Sequence, residues 1–207
     1  MPIVNYAARE ITSKIVYYGP ARSGKTTNLQ YIHARVPESR RGPIVSLATE
    51  GDRTLFFDYL PLDLGRLSGY RTKIQLYTVP GQIYYDSTRR LVLQGADGVV
   101  FVADSRADRL EENIASFRNL QANLLDQGVD PRGVPLCLQY NKRDLPDVLG
   151  RRTLEDTLNF RALPSFEASA LTGAGVFETL ESIVEQVLSR IARGFEKEAT
   201  GAGAEHG

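Results

Sequence analysis

Tyr18-Gly19-Pro20-Ala21-Arg22-Ser23-Gly24-Lys25-Thr26-Thr27 reads G-x-x-x-x-G-K-S/T between a short apolar run and a helical pattern. In that setting the spacing is a phosphate-binding P-loop. Lys14-Ile15-Val16-Tyr17-Tyr18 predicts a strand, and Leu29, Tyr31 and Ile32 fall at helical spacings before Val36-Pro37 ends the helix. A phosphate placed there meets backbone N–H groups and the positive end of a helix dipole, with a full charge added by Lys25. The Thr26 hydroxyl is an oxygen ligand for Mg²⁺, and glycines at 19 and 24 let the backbone approach closely. Gly19, Ser23, Gly24, Lys25, Thr26 and Thr27 are therefore the candidate phosphate-binding residues. The alternative, a chance match on a surface glycine loop, does not account for the strand and helix on either side.

Outward from the loop, Glu38 to Pro43 is polar and broken by Gly and Pro, with Ile44-Val45-Ser46-Leu47 as a brief extended piece, which predicts a long functional loop. Leu55 to Leu62 and Tyr70 to Val79 read as strands of an antiparallel hairpin, with Gly65 to Gly69 between them. Pro61 donates no ladder bond, which places the first of the two at the sheet edge. A three-residue loop, Leu67-Ser68-Gly69, sets Asp58 opposite Thr78. A helical stretch from Ser87 to Leu93 leads to Gly98-Val99-Val100-Phe101-Val102-Ala103-Asp104, whose unbroken apolar character is that of a buried parallel strand. A helix over Asp108–Leu125, a strand over Val134–Tyr140, a helix near Thr153–Phe160, a short strand around Phe166-Glu167-Ala168 and a last helix from Val176 to about Arg193 follow. Strands alternating with helices predict a mainly parallel α/β sheet with right-handed crossovers.

The 207 residues, 42% of them hydrophobic, suit one domain, and 25 Lys plus Arg cancel 25 Asp plus Glu. No global field favours nucleic acid or an anionic membrane. Cys137, the single cysteine, lies in an apolar run and reads as a small core residue rather than a redox or metal group. No apolar run approaches the ~20 residues needed to span a bilayer. Pro2 is incompatible with a myristoylated glycine, and no prenylation cysteine is present. A cytoplasmic protein without an intrinsic membrane anchor is expected.

Asn141-Lys142-Arg143-Asp144 follows a buried strand at the carboxyl edge of the sheet, where open α/β folds bind ligands. It reads as the guanine-selecting N-K-x-D. An ionised Asp144 only accepts hydrogen bonds, which suits the N1–H and exocyclic amine of guanine and opposes adenine, whose N1 is an acceptor. Lys142 can lie along the base, Asn141 can tie this loop to the P-loop, and the Ala170 N–H in Ser169-Ala170 can donate to the base carbonyl. GTP over ATP is the expected preference, and Asp144 argues against an ATP-dependent kinase built on the same loop.

These motifs, with Thr49 to Asp58 and Thr78-Val79-Pro80-Gly81-Gln82, resemble the small Ras-like GTPases and within them the bacterial MglA family, over essentially residues 3 to 193. The resemblance implies a Ras-like P-loop domain over residues 1–194. Its sheet is about six-stranded and mainly parallel, with one antiparallel edge strand from the hairpin 55–79 and helices on both faces; beyond it, small, polar, Gly/Ala-rich composition predicts a disordered tail over 195–207. It implies switch I over about Glu38–Thr54, with Thr54 reaching Mg²⁺ and the γ-phosphate. Switch II runs from Gly81 to about Tyr85, with Gly81 sensing the γ-phosphate and Gln82 orienting the attacking water. Arg53 resembles an internal arginine finger. Most Ras-like proteins carry Asp at the position of Thr78, and Asp58 is the candidate replacement at the metal, with Thr26 and Thr54. Ala21 stands where Gly is usual, and its methyl can crowd the catalytic side chains. The family implies GTP and GDP as ligands, and a Roadblock/LC7-type, MglB-like activating homodimer that binds one GTPase. It also implies unidentified effectors, recruitment to cell poles, and a role in polarity or motility. A GTP-binding scaffold with negligible hydrolysis is the alternative, motivated by Ala21 and Thr78.

Overall fold

The computed structural model describes residues 2–47, 57–67, 69–82 and 85–201. In chain order its main elements are β1 (Ile3–Asn5), β2 (Glu10–Tyr18), α1 (Lys25–Arg35), β3 (Val45–Leu47), β4 (Phe57–Leu67), β5 (Tyr70–Thr78), α2 (Asp86–Leu93), β6 (Gly98–Asp104), α3 (Leu110–Asp126), β7 (Leu136–Asn141), α4 (Arg151–Leu158), β8 (Ser165–Glu167) and α5 (Val176–Gly201).

One mixed sheet runs β3-β4-β5-β2-β6-β7-β8, with β1 paired antiparallel to the start of β2. The strands β5, β2, β6, β7 and β8 are mutually parallel, so their carboxyl ends share one edge. Tyr18, Thr78, Asp104, Asn141 and Glu167 end those strands there, and the P-loop, the Gly81 loop, Asn141-Lys142-Arg143-Asp144 and Ser169-Ala170 lie at that edge. The period-2 alternation of β2 divides the core. Ile15 and Tyr17 face Leu29 and Ile32 of α1 and Ile183 and Val187 of α5. Val16 and Tyr18 face the other way, toward Leu93, Phe117, Leu120 and Leu154 of α2, α3 and α4. Burying Leu29 and Ile32 contributes roughly 1.5–3 kcal/mol each, which holds the amino end of α1 beneath the P-loop. Cys137 is buried in this core, and desolvation pushes its thiol pKa up, away from thiolate chemistry.

Four expectations change. The described sheet has eight strands rather than six, because β1 and β3 are three residues each and too short to show a period. The hairpin does not supply the edge strand; β3 covers the outer side of β4. Pro61 tolerates this position because β3 pairs only as far as Tyr59. Its carbonyl accepts from the Gly42 N–H on the outer side, so its donor-less nitrogen faces away from β5. The hairpin closes on Leu67 opposite Tyr70, a two-residue loop rather than three, and a bulge between Asp63 and Gly65 shifts the register by one. Gly65 sits at φ +83° there, its N–H bonded to Asp63 Oδ1 at 2.8 Å. The two departures cancel, so Tyr59 pairs with Tyr77 and Asp58 meets Thr78 as expected. Finally, α5 continues through Gly201, into the span expected to be a disordered tail. The helix formers of Glu196-Lys197-Glu198-Ala199 explain the extension.

Candidate functional site

The P-loop turns at the end of β2. Gly19 has φ +146°, and a Cβ there would lie 2.2 Å from the Val102 carbonyl oxygen of β6, so only glycine fits. Gly24, at φ +101°, caps α1, which begins at Lys25. Lys25 is 6% exposed, and its Nζ donates to the carbonyls of Gly19 at 3.0 Å and Pro20 at 2.6 Å. Burial, and after it the charge of Arg89, push its pKa down to about 7 against the pull of Asp58.

A cleft of about 540 Å³ opens over this loop, lined among others by Lys25, Thr26, Asp58, Thr78 and Gly81. Asp58 is its focus. The Thr26 hydroxyl donates to Oδ2 at 2.6 Å, the Thr78 hydroxyl to Oδ2 at 2.9 Å and the Ser46 hydroxyl to Oδ1 at 2.7 Å. Thr78 Oγ1 also accepts from the Asp58 N–H at 2.8 Å, which locks the two strands in register. A hydroxyl and a carboxylate side by side form an all-oxygen donor set that suits Mg²⁺, which binds through one or two carboxylates plus phosphate. Among the described residues no group of three or more His, Cys, Asp or Glu could hold a metal unaided.

A second recess of about 270 Å³ continues from the first, sharing Arg22, Gly24 and Thr27 and lined also by Asn141, Lys142, Asp144, Ala170 and Leu171. Asn141, 2% exposed, bridges its walls. Its Nδ2 donates to the Ser23 carbonyl at 2.7 Å, and its Oδ1 accepts from the Ala170 N–H at 2.8 Å. That N–H, expected to face a base carbonyl, is spent here on joining the two loops. Ser169 is buried behind it, its Oγ accepting from the Thr172 N–H at 3.2 Å. Lys142 adopts φ +70°, and its ammonium lies 2.7 Å from Asp104 Oδ2. Burial raises the Asp104 pKa, but the bonds from Arg106 and Lys142 outweigh it and hold the carboxyl below its ordinary range. Asp144 is exposed at the mouth.

Gly81 packs on the P-loop so closely that a Cβ would lie 2.2 Å from Ala21 Cα. Gln82 is exposed beside it and lines a further cleft with Ala21, Arg22 and Arg89. Arg53 and Thr54 lie outside the described residues. The structure thus brings Gly19, Ser23, Gly24, Lys25, Thr26, Thr27, Asp58, Gly81, Asn141, Lys142, Asp144, Ser169 and Ala170 to one edge. Sequence reasoning missed Asp104, Ser46 and Arg89. An acid ending an apolar strand was a signal for Asp104. Nothing flagged Ser46. Arg89 was passed over because cations on amphipathic helices usually face water, although it falls next to Thr88 and close to Val92 and Leu93 on the buried side of α2.

No family model matches the chain. The chain is 51% identical over 194 residues to the mutual gliding-motility protein MglA of Myxococcus xanthus, covering 94% of this chain and all of that protein. It is 30% identical over 163 residues to the human ADP-ribosylation factor-like protein 4D, covering 74% of this chain and 76% of that protein. Bovine Ras-related protein Rab-27B is 27% identical over 131 residues, covering 62% and 58%.

Proposed function

The chain belongs to the MglA family of Ras-like small GTPases, and from that membership and the groove above we propose a GTP/GDP switch with Mg²⁺-dependent hydrolysis. One observation carries the reading. A single groove joins a hydroxyl–carboxylate pair at one end, Thr26 with Asp58, to Asp144 at the other, through the P-loop residues Arg22, Gly24 and Thr27.

Phosphates lie over the amino end of α1, where Lys25 leaves its own loop carbonyls to meet them and regains its charge. Thr26, Thr54 and Asp58 would hold Mg²⁺, which would supply charge neutralisation to the phosphates. Gln82 orients the attacking water in line with the leaving oxygen, and Arg53 stabilises charge on the departing γ-phosphoryl. Asp144 accepts from guanine, while Lys142, steered by Asp104, lies along the base. Hydrolysis releases Gly81 and switch I, and that conformational difference is the output. By family resemblance a Roadblock/LC7-type homodimer acts on one copy to stimulate turnover. That the Myxococcus relative is a mutual gliding-motility protein supports a role in motility, and family resemblance adds cell polarity. No described helix is long and apolar enough to cross a membrane. By family resemblance the protein acts in the cytoplasm and is drawn to poles by its partners.

A second reading, a GTP-loaded scaffold that barely turns over, is motivated by Ala21 where Gly is usual and by Thr78 where an acid is usual. Single-turnover hydrolysis of GTP, with ATP as control and with or without a Roadblock-type protein, separates the two. GTP cleavage accelerated by the partner supports the switch; no cleavage in either condition supports the scaffold. In the same assay Arg53→Ala lowers partner-stimulated hydrolysis at least roughly tenfold and leaves GDP and GTP affinity within about threefold. Wild-type hydrolysis by Arg53→Ala would remove Arg53 from the reaction.

A further inference from the structure

Arg89 is fully buried, the largest such side chain among the described residues. Its Nε donates to the Pro80 carbonyl at 2.8 Å and its Nη2 to the Gly81 carbonyl at 2.8 Å, while the same Nη2 reaches the P-loop carbonyl of Gly19 at 3.4 Å. Nη1 donates to Asn119 Oδ1 of α3 at 2.6 Å, and the guanidinium lies 5.1 Å from the centre of the Tyr18 ring. These partners are carbonyl and amide oxygens. Asp86 on the same helix is instead bonded by Arg90, Asn119 and Asn123. A buried cation held only by neutral oxygens is costly, and an apolar side chain of similar volume generally serves stability as well or better. What the guanidinium adds is a planar fork that spans three segments at once.

Two cations share one carbonyl here: Gly19 oxygen accepts from Lys25 Nζ at 3.0 Å as well as from Arg89. Drawing Lys25 toward a phosphate leaves the Gly19 carbonyl to Arg89. Moving Gly81, which is packed on Ala21, strains the two bonds from Arg89 to the Pro80-Gly81 carbonyls. From Arg89 the network runs on through Asn119, which accepts from Tyr18 Oη at 2.5 Å and donates to Asp86 at 2.8 Å. Asn123 closes it, donating to Tyr18 Oη at 3.1 Å and to Asp86 at 3.0 Å.

We propose that Arg89 is the positioning residue that couples the P-loop to switch II and, through Asn119, transmits the nucleotide state to α3. The cleft of about 590 Å³ between Gln82, Arg89, Arg109 and the 111–116 side of α3 then changes shape with the nucleotide. This rests on the switch reading above.

The test is amide hydrogen exchange on protein loaded with GDP or with a non-hydrolysable GTP analogue, for wild type and Asn119→Ala, together with single-turnover hydrolysis by Arg89→Lys. Wild type should show exchange rates that differ between the two loads by at least about fivefold both in 79–82 and in 110–126. Asn119→Ala should keep the difference in 79–82 and lose it in 110–126. Arg89→Lys, whose single ammonium cannot bridge three segments, should hydrolyse GTP at least about tenfold more slowly at saturating nucleotide, with affinity changed far less. A difference in 110–126 that survives Asn119→Ala, or a normal hydrolysis rate in folded Arg89→Lys, overturns the proposal. If Arg89→Lys does not fold, the Asn119→Ala exchange result decides alone. Wild-type protein that retains no guanine nucleotide would overturn the switch reading itself, and the coupling with it.

Discussion

At the proposed base end of the groove Asn141 and Asp104 stand at the tips of adjacent parallel strands; Asn141 joins two loops by buried hydrogen bonds, and Asp104 holds Lys142 by a part-buried one. At the proposed metal end one carboxylate, Asp58, gathers hydroxyls from α1, β3 and β5, elements separated by long stretches of chain. The first end is built by local motifs that follow strands, and the second only by the register of an antiparallel hairpin. A small change in β4–β5 pairing would therefore leave the guanine loop intact and turn Asp58 to the opposite face of the sheet.

The largest expected effect lies between the two ends and should disable both. Lys25→Ala should weaken GDP and GTP binding by at least roughly a hundredfold, since each hydrogen bond to a charged group is worth roughly 1.5–3 kcal/mol. Titration of nucleotide-free protein with a fluorescent GDP measures it, and near-normal affinity would break the comparison by removing the P-loop from the site.

Asp144→Asn sharpens it. The amide donates where the carboxylate accepted, so preference should move from guanine toward xanthine nucleotides by about tenfold or more, while the Mg²⁺ requirement stays as in wild type. Competition between GTP and XTP reads this directly. A shift in Mg²⁺ dependence without a shift in base choice would show that the two ends are not independent.

A smaller effect follows from Lys25 itself. Its pKa is pushed down to about 7 in the protein, whereas phosphate contact requires the cation. Binding above about pH 7 must therefore take up a proton, and affinity should fall with rising pH by at most about tenfold per unit. Calorimetry in two buffers of different ionisation enthalpy should reveal that uptake. A pH-independent affinity with no proton uptake would show that Lys25 is already charged.

How much of this was legible depends on how local each feature is. The P-loop and N-K-x-D were readable because each is contiguous and follows an apolar strand, and their spacing carries the chemistry. Asp58 was reached through register, but by the wrong path: the expected three-residue turn is a two-residue one, and the bulge before Gly65 restores the pairing. An isolated glycine inside a strand pattern was the available sign of that bulge. The extended piece Ile44-Val45-Ser46-Leu47 was legible as such, but three paired residues show no period that would fix its partner, so Ser46 could not be placed beside Asp58. Arg89 escaped because hydropathy assigns arginine to solvent, and only the packed structure supplies the four oxygens that let it be buried.

The most direct test of the central claim, that a carboxylate from the neighbouring strand replaces the acid absent at Thr78, is the Mg²⁺ concentration at which bound GDP is retained. It should be compared in wild type, Asp58→Ala and, as a control, Asp52→Ala, Asp52 being another acid of the Thr49 to Asp58 stretch and itself outside the described residues. Loss of one oxygen ligand should raise the midpoint for Asp58→Ala by at least about threefold, with Asp52→Ala affected less and the preference for guanine unchanged in both. Identical Mg²⁺ dependence in wild type and Asp58→Ala would contradict the account.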